Sequence, residues 1–251
     1  MYKMSSWQNV SDWYSEIVGE KGHYYHQQII IPNSLKLLNL TQADSLLDLA
    51  CGQGVLARHL DKNIKYVGVD ASEALVHQAR SLDTNANHSY LVSDAAKSLN
   101  LNTTFTHVSI ILALQNIKNQ FLVIENAAKY LNRGGKLLIV LNHPAFRIPR
   151  QSSWEFDNKN NVQYRKINRY MSALDIPILT HPGEADTSQT TLSFHQPISY
   201  YADILSKNGF CIEKVEEWIS NKTSVGKRAK AENTARKEFP LFMALLACKA
   251  E

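Results

Sequence analysis

Residues 46–70 limit what this chain can fold into more than any other stretch. They read Leu-Leu-Asp-Leu-Ala-Cys-Gly-Gln-Gly, then Val-Leu-Ala-Arg-His-Leu, then, after four residues, Lys-Tyr-Val-Gly-Val-Asp. Two short apolar runs flanked by turn residues predict buried strands. Gly52 and Gly54 let the backbone turn sharply and approach a ligand closely. A helix beginning near Val55 would aim its free amides at whatever sits on that turn. Asp70, at the carboxyl end of the second strand, is placed to accept hydrogen bonds from a ribose diol. The stretch predicts a nucleoside-binding half-fold.

The rest of the chain continues the rhythm. Strands are predicted at 45–50, 66–69, 89–92, 106–113 and 136–141. A helix at 55–60 follows the first. Another, N-capped by Ser72, carries Leu75, Val76, Ala79 and Leu82 on one face. A third, at 121–131, is expected to stop at Gly134 and Gly135. Strands alternating with helices imply a parallel, doubly wound α/β sheet with right-handed crossovers. The pattern breaks at Asn142. Residues 143–196, rich in polar, aromatic and arginine side chains, are too long for a structureless loop and predict an inserted subdomain. A helix from Pro197, closed by Gly209, leads to a strand at 210–218. A basic, mobile segment is expected at 220–237 before a last strand at 239–249, and these two strands should pair antiparallel. The organisation is therefore an N-terminal arm with helices forming a lid (1–44, the helical part kinked at Pro32), a core (45–142), a cap (143–196) and a closing helix and strand pair (197–251).

Composition narrows the class. A formal charge of +4 over 251 residues does not argue for nucleic acid. No apolar run approaches the ~20 residues of a membrane helix, and residues 1–9 lack a signal-peptide core. Cys51, Cys211 and Cys248 are odd in number and lack metal spacing, so reduced thiols in a cytoplasmic protein and no metal site are expected.

The glycine turn alone leaves the ligand open. Gly52-x-Gly54-x-x-Ala57 formally satisfies a dinucleotide fingerprint, which keeps a nicotinamide-dependent oxidoreductase in view. Asp48 just before the turn would serve a pyrophosphate poorly and an ammonium group well. Asp94, closing the third strand, could accept from an adenine amine. Three carboxylates on three successive strand ends suit a ligand with an amino-acid end, a ribose and an adenine.

At this point the residues resemble a known family. Asp-Leu-Ala-Cys-Gly-Gln-Gly, Val-Gly-Val-Asp-Ala-Ser, Ser-Asp-Ala and Leu-Asn-Arg-Gly-Gly-Lys-Leu-Leu-Ile-Val are similar to successive motifs of class I S-adenosylmethionine-dependent methyltransferases, of the bacterial small-molecule type. The resemblance implies a Rossmann-like seven-stranded sheet, mostly parallel with the last strand antiparallel, and S-adenosylmethionine as cofactor. It also implies contacts: Asp48 to the methionine amino group through water, and the backbone at Cys51, Gly52 and Gly54 to the amino-acid end. Asp70 would take the ribose, Ala71, Asp94 and Ala95 the adenine, and Leu112 to Leu114 the pocket wall. Tyr25 would fold over the cofactor. No Asn/Asp-Pro-Pro-Tyr/Phe follows the fourth strand, where Ala113-Leu-Gln-Asn-Ile stands instead. That disfavours the base- and glutamine-amine chemistry of that motif.

Acceptor candidates leave the carboxyl end of the fifth strand: His143, Arg147, Arg150 and Trp154. Arginines among aromatics suit a planar or anionic small-molecule acceptor. His26 and His143 are the candidate bases, with His181 and His195 as further histidines. The expectation is methyl transfer to a small organic acceptor. The alternatives are the oxidoreductase above, or a non-catalytic member of the fold that binds a protein or RNA partner.

Overall fold

The computed structural model describes residues 18–19, 22–179 and 190–250. The first 17 residues, with Trp7, Trp13 and Tyr14, and also His181, lie outside the described residues. The main sheet has seven strands in the order β10-β11-β5-β4-β1-β2-β3. They are β1 (Ser45–Leu49), β2 (Lys65–Asp70), β3 (His88–Val92), β4 (Phe105–Ile111), β5 (Leu131–Asn142), β10 (Phe210–Trp218) and β11 (Phe242–Lys249). The pairs β1–β2, β1–β4, β2–β3 and β4–β5 are parallel, whereas β11 runs antiparallel to both β5 and β10. The chain is thus a doubly wound sheet closed by an antiparallel strand, as the alternation predicts.

Each face of the sheet carries its own core. On one, α1 (Ile31–Leu38) and α2 (Glu73–Leu82) cover Leu46, Tyr66, Leu138 and Val140. On the other, α3 (Gln120–Tyr130) and α4 (Ile198–Lys207) cover Leu47, Leu49, Val108 and Ile110. Leu46 and Leu47 fall on opposite faces because successive side chains alternate along a strand. The predicted kink before α1 takes a definite form. Residues His26–Ile30 are a π-turn, with the Ile31 amide reaching back to the His26 carbonyl. Pro32 lacks an amide and its ring crowds the carbonyl four residues back, so the helix widens by one residue just ahead of it.

Three expectations need correction. The helix after the glycine turn does not form; only a single 3₁₀ turn, Ala57–His59, follows it. The helix α3 ends at Tyr130, where Leu131 turns extended, and the Gly134–Gly135 pair falls within β5 instead of stopping the helix. The basic segment contains an ordered helix, α5 (Ala229–Glu238), with Ala231 and Ala235 buried on one stripe. The inserted cap is two hairpins, β6 (Ser152–Asp157) with β7 (Val162–Ile167), and β8 (Leu174–Leu179) with β9 (Thr190–His195). Arg228, at the start of α5, lies 4.2 Å over the Phe156 ring, which ties the helix to the first hairpin.

Gly68 in β2 sits where three large groups meet. A Cβ there would lie 2.8 Å from Cys51 Sγ, 2.8 Å from Tyr90 Cδ1 and 2.9 Å from Tyr66 Oη. These are interior atoms that cannot all retreat, so Gly68→Ala should destabilise the fold by about 1–3 kcal/mol. Urea unfolding checks this; an unchanged midpoint would show that the tyrosines yield without cost.

Candidate functional site

A 770 Å³ cavity opens at the carboxyl ends of the parallel strands, where α/β sheets of this kind take their ligands. Its walls come from five places. The β1 turn gives Ala50 and Gly52; the end of β2 gives Asp70 and Ala71, with Leu75 from α2. The end of β3 gives Asp94 to Lys97, and the end of β4 gives Ile111 to Ala113 and Asn116 to Asn119. The fifth is the second cap hairpin, through Asp175, Pro177, Leu192 and Phe194.

Asp70 organises the near wall. Its Oδ2 accepts from the Gly52 amide at 2.8 Å and its Oδ1 from the Ser72 amide at 2.9 Å. Burial pushes the carboxyl's pKa up, and these amides act in the opposite direction. Ser72 in turn caps α2, its hydroxyl accepting from the Leu75 amide. Asp94 Oδ1 accepts from the Ala96 amide at 2.9 Å. Ala50 and Leu112, both on the wall, hold left-handed backbone at φ +58° and +54°. Such strain in non-glycine residues costs of order 1–3 kcal/mol and collects at functional sites.

Of the residues expected to meet the cofactor, Gly52, Asp70, Ala71, Asp94, Ala95 and Leu112 line this cavity; Tyr25, Asp48, Cys51, Gly54 and Leu114 do not. Asp48 shares a sheet face with Leu46 and points under the sheet. Its Oδ2 accepts from Tyr66 Oη at 2.9 Å and its Oδ1 from Ser109 Oγ at 2.7 Å. Cys51 is a free thiol whose sulfur packs beside Gly68, and burial pushes its pKa up. Gly54, at φ +71°, faces the Tyr90 hydroxyl, so it makes room for a neighbour instead of a ligand. Leu114 is wholly buried in the core. Tyr25 is turned to Ser220, hydroxyl to hydroxyl at 3.1 Å.

The acceptor candidates also fall outside the cavity wall. Both ring nitrogens of His143 are engaged: Nδ1 accepts from the Ala145 and Phe146 amides, and Nε2 donates to Glu217 at 2.6 Å. Arg150 is exposed in a turn at φ +58°. Trp154 stacks edge-on against Phe239 with Arg165 over its ring, bracing the first hairpin. Arg147 donates to Asn142 Oδ1 and lies over Phe242. His26 is buried with Nδ1 unpartnered among the described residues, and burial drops its pKa to about 3, so it is neutral. His195 Nε2 bonds the Tyr170 carbonyl.

The hairpin wall went unnoticed in the sequence, although a signal was present. Asp175 and Pro177 are two apart and pair across the hairpin with Phe194 and Leu192. Alternation therefore puts all four on one face. Among the described residues no cluster of His, Cys, Asp or Glu could hold a metal, and no helix is long and apolar enough to cross a membrane.

A family model described as a methyltransferase domain matches residues 47–139, from β1 through the middle of β5. An uncharacterised methyltransferase of Schizosaccharomyces pombe is 29% identical over 109 residues, covering 41% of this chain. The match spans 42% of that relative's length. Among solved structures, a S-adenosylmethionine-dependent methyltransferase from Mesorhizobium loti superposes with a TM-score of 0.67 at 22% identity, over 88% of this chain and 99% of that one. A candidate S-adenosylmethionine-dependent methyltransferase from Listeria monocytogenes gives 0.66 at 24%, over 88% and 98%.

Residues 47–139 thus resemble a methyltransferase domain, and the sheet shares the fold of S-adenosylmethionine-dependent methyltransferases. The cofactor of that family, S-adenosylmethionine, can be tested against the cavity's own chemistry. The core offers it a carboxylate at Asp70 whose oxygens each keep a lone pair beyond their amide bonds, which suits a diol. It offers apolar walls at Ala71, Leu75, Ala95 and Ile117 for a flat base, and a second carboxylate at Asp94. It offers no arginine, and its two wall lysines, Lys97 and Lys118, each have a carboxylate nearby, Asp94 at 3.9 Å and Asp175 at 3.6 Å. That donor set suits a sulfonium nucleoside better than a pyrophosphate.

The buried carboxyl beneath the cavity has a measurable signature. Burial pushes Asp48 up to about 6, the Ser109 and Tyr66 hydroxyls pulling it down. The native state thus holds this proton more tightly than the unfolded chain, whose ordinary value is 3.8. The resulting stabilisation is complete below pH 3.8 and is lost as the pH rises through about 6. Asp48→Asn keeps the shape, and both hydroxyls can rotate to satisfy it. Relative to that variant, the wild-type chain should lose about 2 kcal/mol of stability between about pH 4 and about pH 7. Parallel pH profiles in urea unfolding would show instead that Asp48 is ionised throughout.

Proposed function

We propose that this protein moves a methyl group from S-adenosylmethionine to a small organic acceptor. The observation that carries the reading is the Asp70 carboxylate, held by two backbone amides at the mouth of a largely apolar cavity. On this reading Asp70 holds the ribose, Asp94 and Ala95 bound the adenine, and Gly52 lies against the amino-acid end. The cofactor supplies an electrophilic methyl carbon on a positively charged sulfur. Transfer from it is a displacement, so alignment and exclusion of water can provide much of the rate. The second cap hairpin supports such a role, because Pro177, Leu192 and Phe194 close the cavity with apolar surface. With both nitrogens of His143 committed, the reading does not rest on a histidine base.

The reading predicts that S-adenosylhomocysteine binds and that a nicotinamide dinucleotide does not. Asp70→Ala should weaken that binding by about ten- to a hundredfold, in proportion to one or two charge-assisted hydrogen bonds. Isothermal calorimetry with circular dichroism as a fold check measures both. A dinucleotide that binds where S-adenosylhomocysteine does not would replace this reading with the oxidoreductase alternative. An unchanged affinity in Asp70→Ala would remove the ribose assignment.

A further inference from the structure

One group of cations outside the cavity has no role in what precedes. Where β5 ends and β11 begins, Asn142 pairs with Phe242, and the segment after β10 passes beside them. Arg147 donates to Asn142 Oδ1 at 2.6 Å and lies 5.3 Å over the Phe242 ring. Tyr25 packs edge-on against the same ring, its centroid 5.7 Å from Phe242. Lys222 Nζ sits 4.5 Å over Tyr24 and 5.1 Å over Tyr25. Its backbone amide donates to Ser220 Oγ, the same hydroxyl that meets Tyr25 Oη.

The charges in this cluster do not cancel. Among the described residues neither Arg147 nor Lys222 has a carboxylate at ion-pair distance; Glu217, which follows the same edge, is turned to His143. Arg165 adds further positive charge near Arg147, and His23 feels both Arg147 and Lys222. His23 cannot relieve this as an acceptor, since its Nδ1 takes the Tyr25 and His26 amides. Taking a guanidinium out of water without an anion is costly, and placing further cations beside it adds to the cost. Aromatic faces offset part of this, but a ring face is a weaker partner than a carboxylate.

The position matters as much as the charge. The Leu112 amide, on the cavity wall, bonds the Val140 carbonyl of β5 at 2.8 Å. The cluster therefore lies one strand over from the cavity, on the same rim of the sheet. We propose that Arg147 and Lys222, beside the rings of Tyr24 and Tyr25, bind the anionic group of a planar acceptor: a small aromatic acid whose carboxylate pairs with the two cations. The proposal rests on the methyltransferase reading above for its purpose, though not for its binding chemistry.

The test uses the full chain loaded with S-adenosylhomocysteine and titrated with benzoate, benzamide and acetate by ligand-observed NMR. Benzoate should bind, with benzamide (same shape, no charge) and acetate (same charge, no ring) each weaker by about tenfold or more. Arg147→Met and Lys222→Met should each lower benzoate affinity by about tenfold and leave S-adenosylhomocysteine affinity within about twofold. Should Arg147→Met lose the fold, the exposed Lys222→Met carries the comparison. Equal binding of benzoate and benzamide, or variants that bind benzoate as the wild type does, would overturn the anion site; acetate binding as tightly as benzoate would overturn the aromatic acid. Benzoate binding without S-adenosylhomocysteine binding would overturn the cofactor reading and leave this one standing. The reverse would do the opposite.

Discussion

The Asp70 carboxylate holds the ligand end of this fold together. One oxygen draws in the Gly52 amide from the turn after β1; the other takes the Ser72 amide at the start of α2. Two strand ends and a helix start are thereby fixed to one side chain at the mouth of the cavity. The sequence makes this necessary. No α-helix follows the glycine turn, so residues 50–56 lack a helix to set their path, and Ala50, Gly52 and Gly54 all hold left-handed backbone. A carboxylate that accepts the Gly52 amide compensates for that strain.

Beneath it lies a second layer, equally fixed. Tyr66 and Ser109 both donate to Asp48 under the glycine turn, and Gly68 leaves space for the Tyr66 hydroxyl among Cys51 and Tyr90. Tyr90 in turn donates to Asp83, which also holds His88. The network links β1, β2, β3 and β4 just below the rim, so the cavity floor is rigid before any ligand arrives. A site whose supporting shell is fully bonded loses little entropy on binding.

This separation explains what was legible in the sequence. Strand order and the Asp70 position could be read because buried parallel strands are short apolar runs and the turn residues between them are specific. The partners of Asp48 could not be read from its proximity to the glycines. Its pairing with Tyr66 and Ser109 depends on strands 18 and 61 residues away, which no local pattern encodes. The same holds for the cap. Its polar, aromatic composition indicated an insertion, and only the cross-strand register brings Asp175 and Phe194, 19 residues apart, onto one face at the cavity. The helix α5 looked mobile because its charge hid the Ala231–Ala235 stripe, two small residues that bury little area but let the helix sit close.

The cap therefore divides its work. Its second hairpin closes the cavity, while its first hairpin, through Trp154 on Phe239 and Phe156 under Arg228, braces α5 and the approach to β11. The two regions it borders carry opposite fields. Around the cavity, Asp94 and Asp175 face Lys97 and Lys118, which leaves Asp70 to set the sign; one strand further along the rim stand Arg147, Arg165 and Lys222. Fields of opposite sign at adjacent sites discriminate ligands by charge before shape is consulted, and each site repels what the other attracts. A donor bearing a sulfonium would settle against Asp70, and an anionic acceptor against the bases. On the proposed reading, the arrangement orders the two substrates along the rim and discourages either from occupying the other's place.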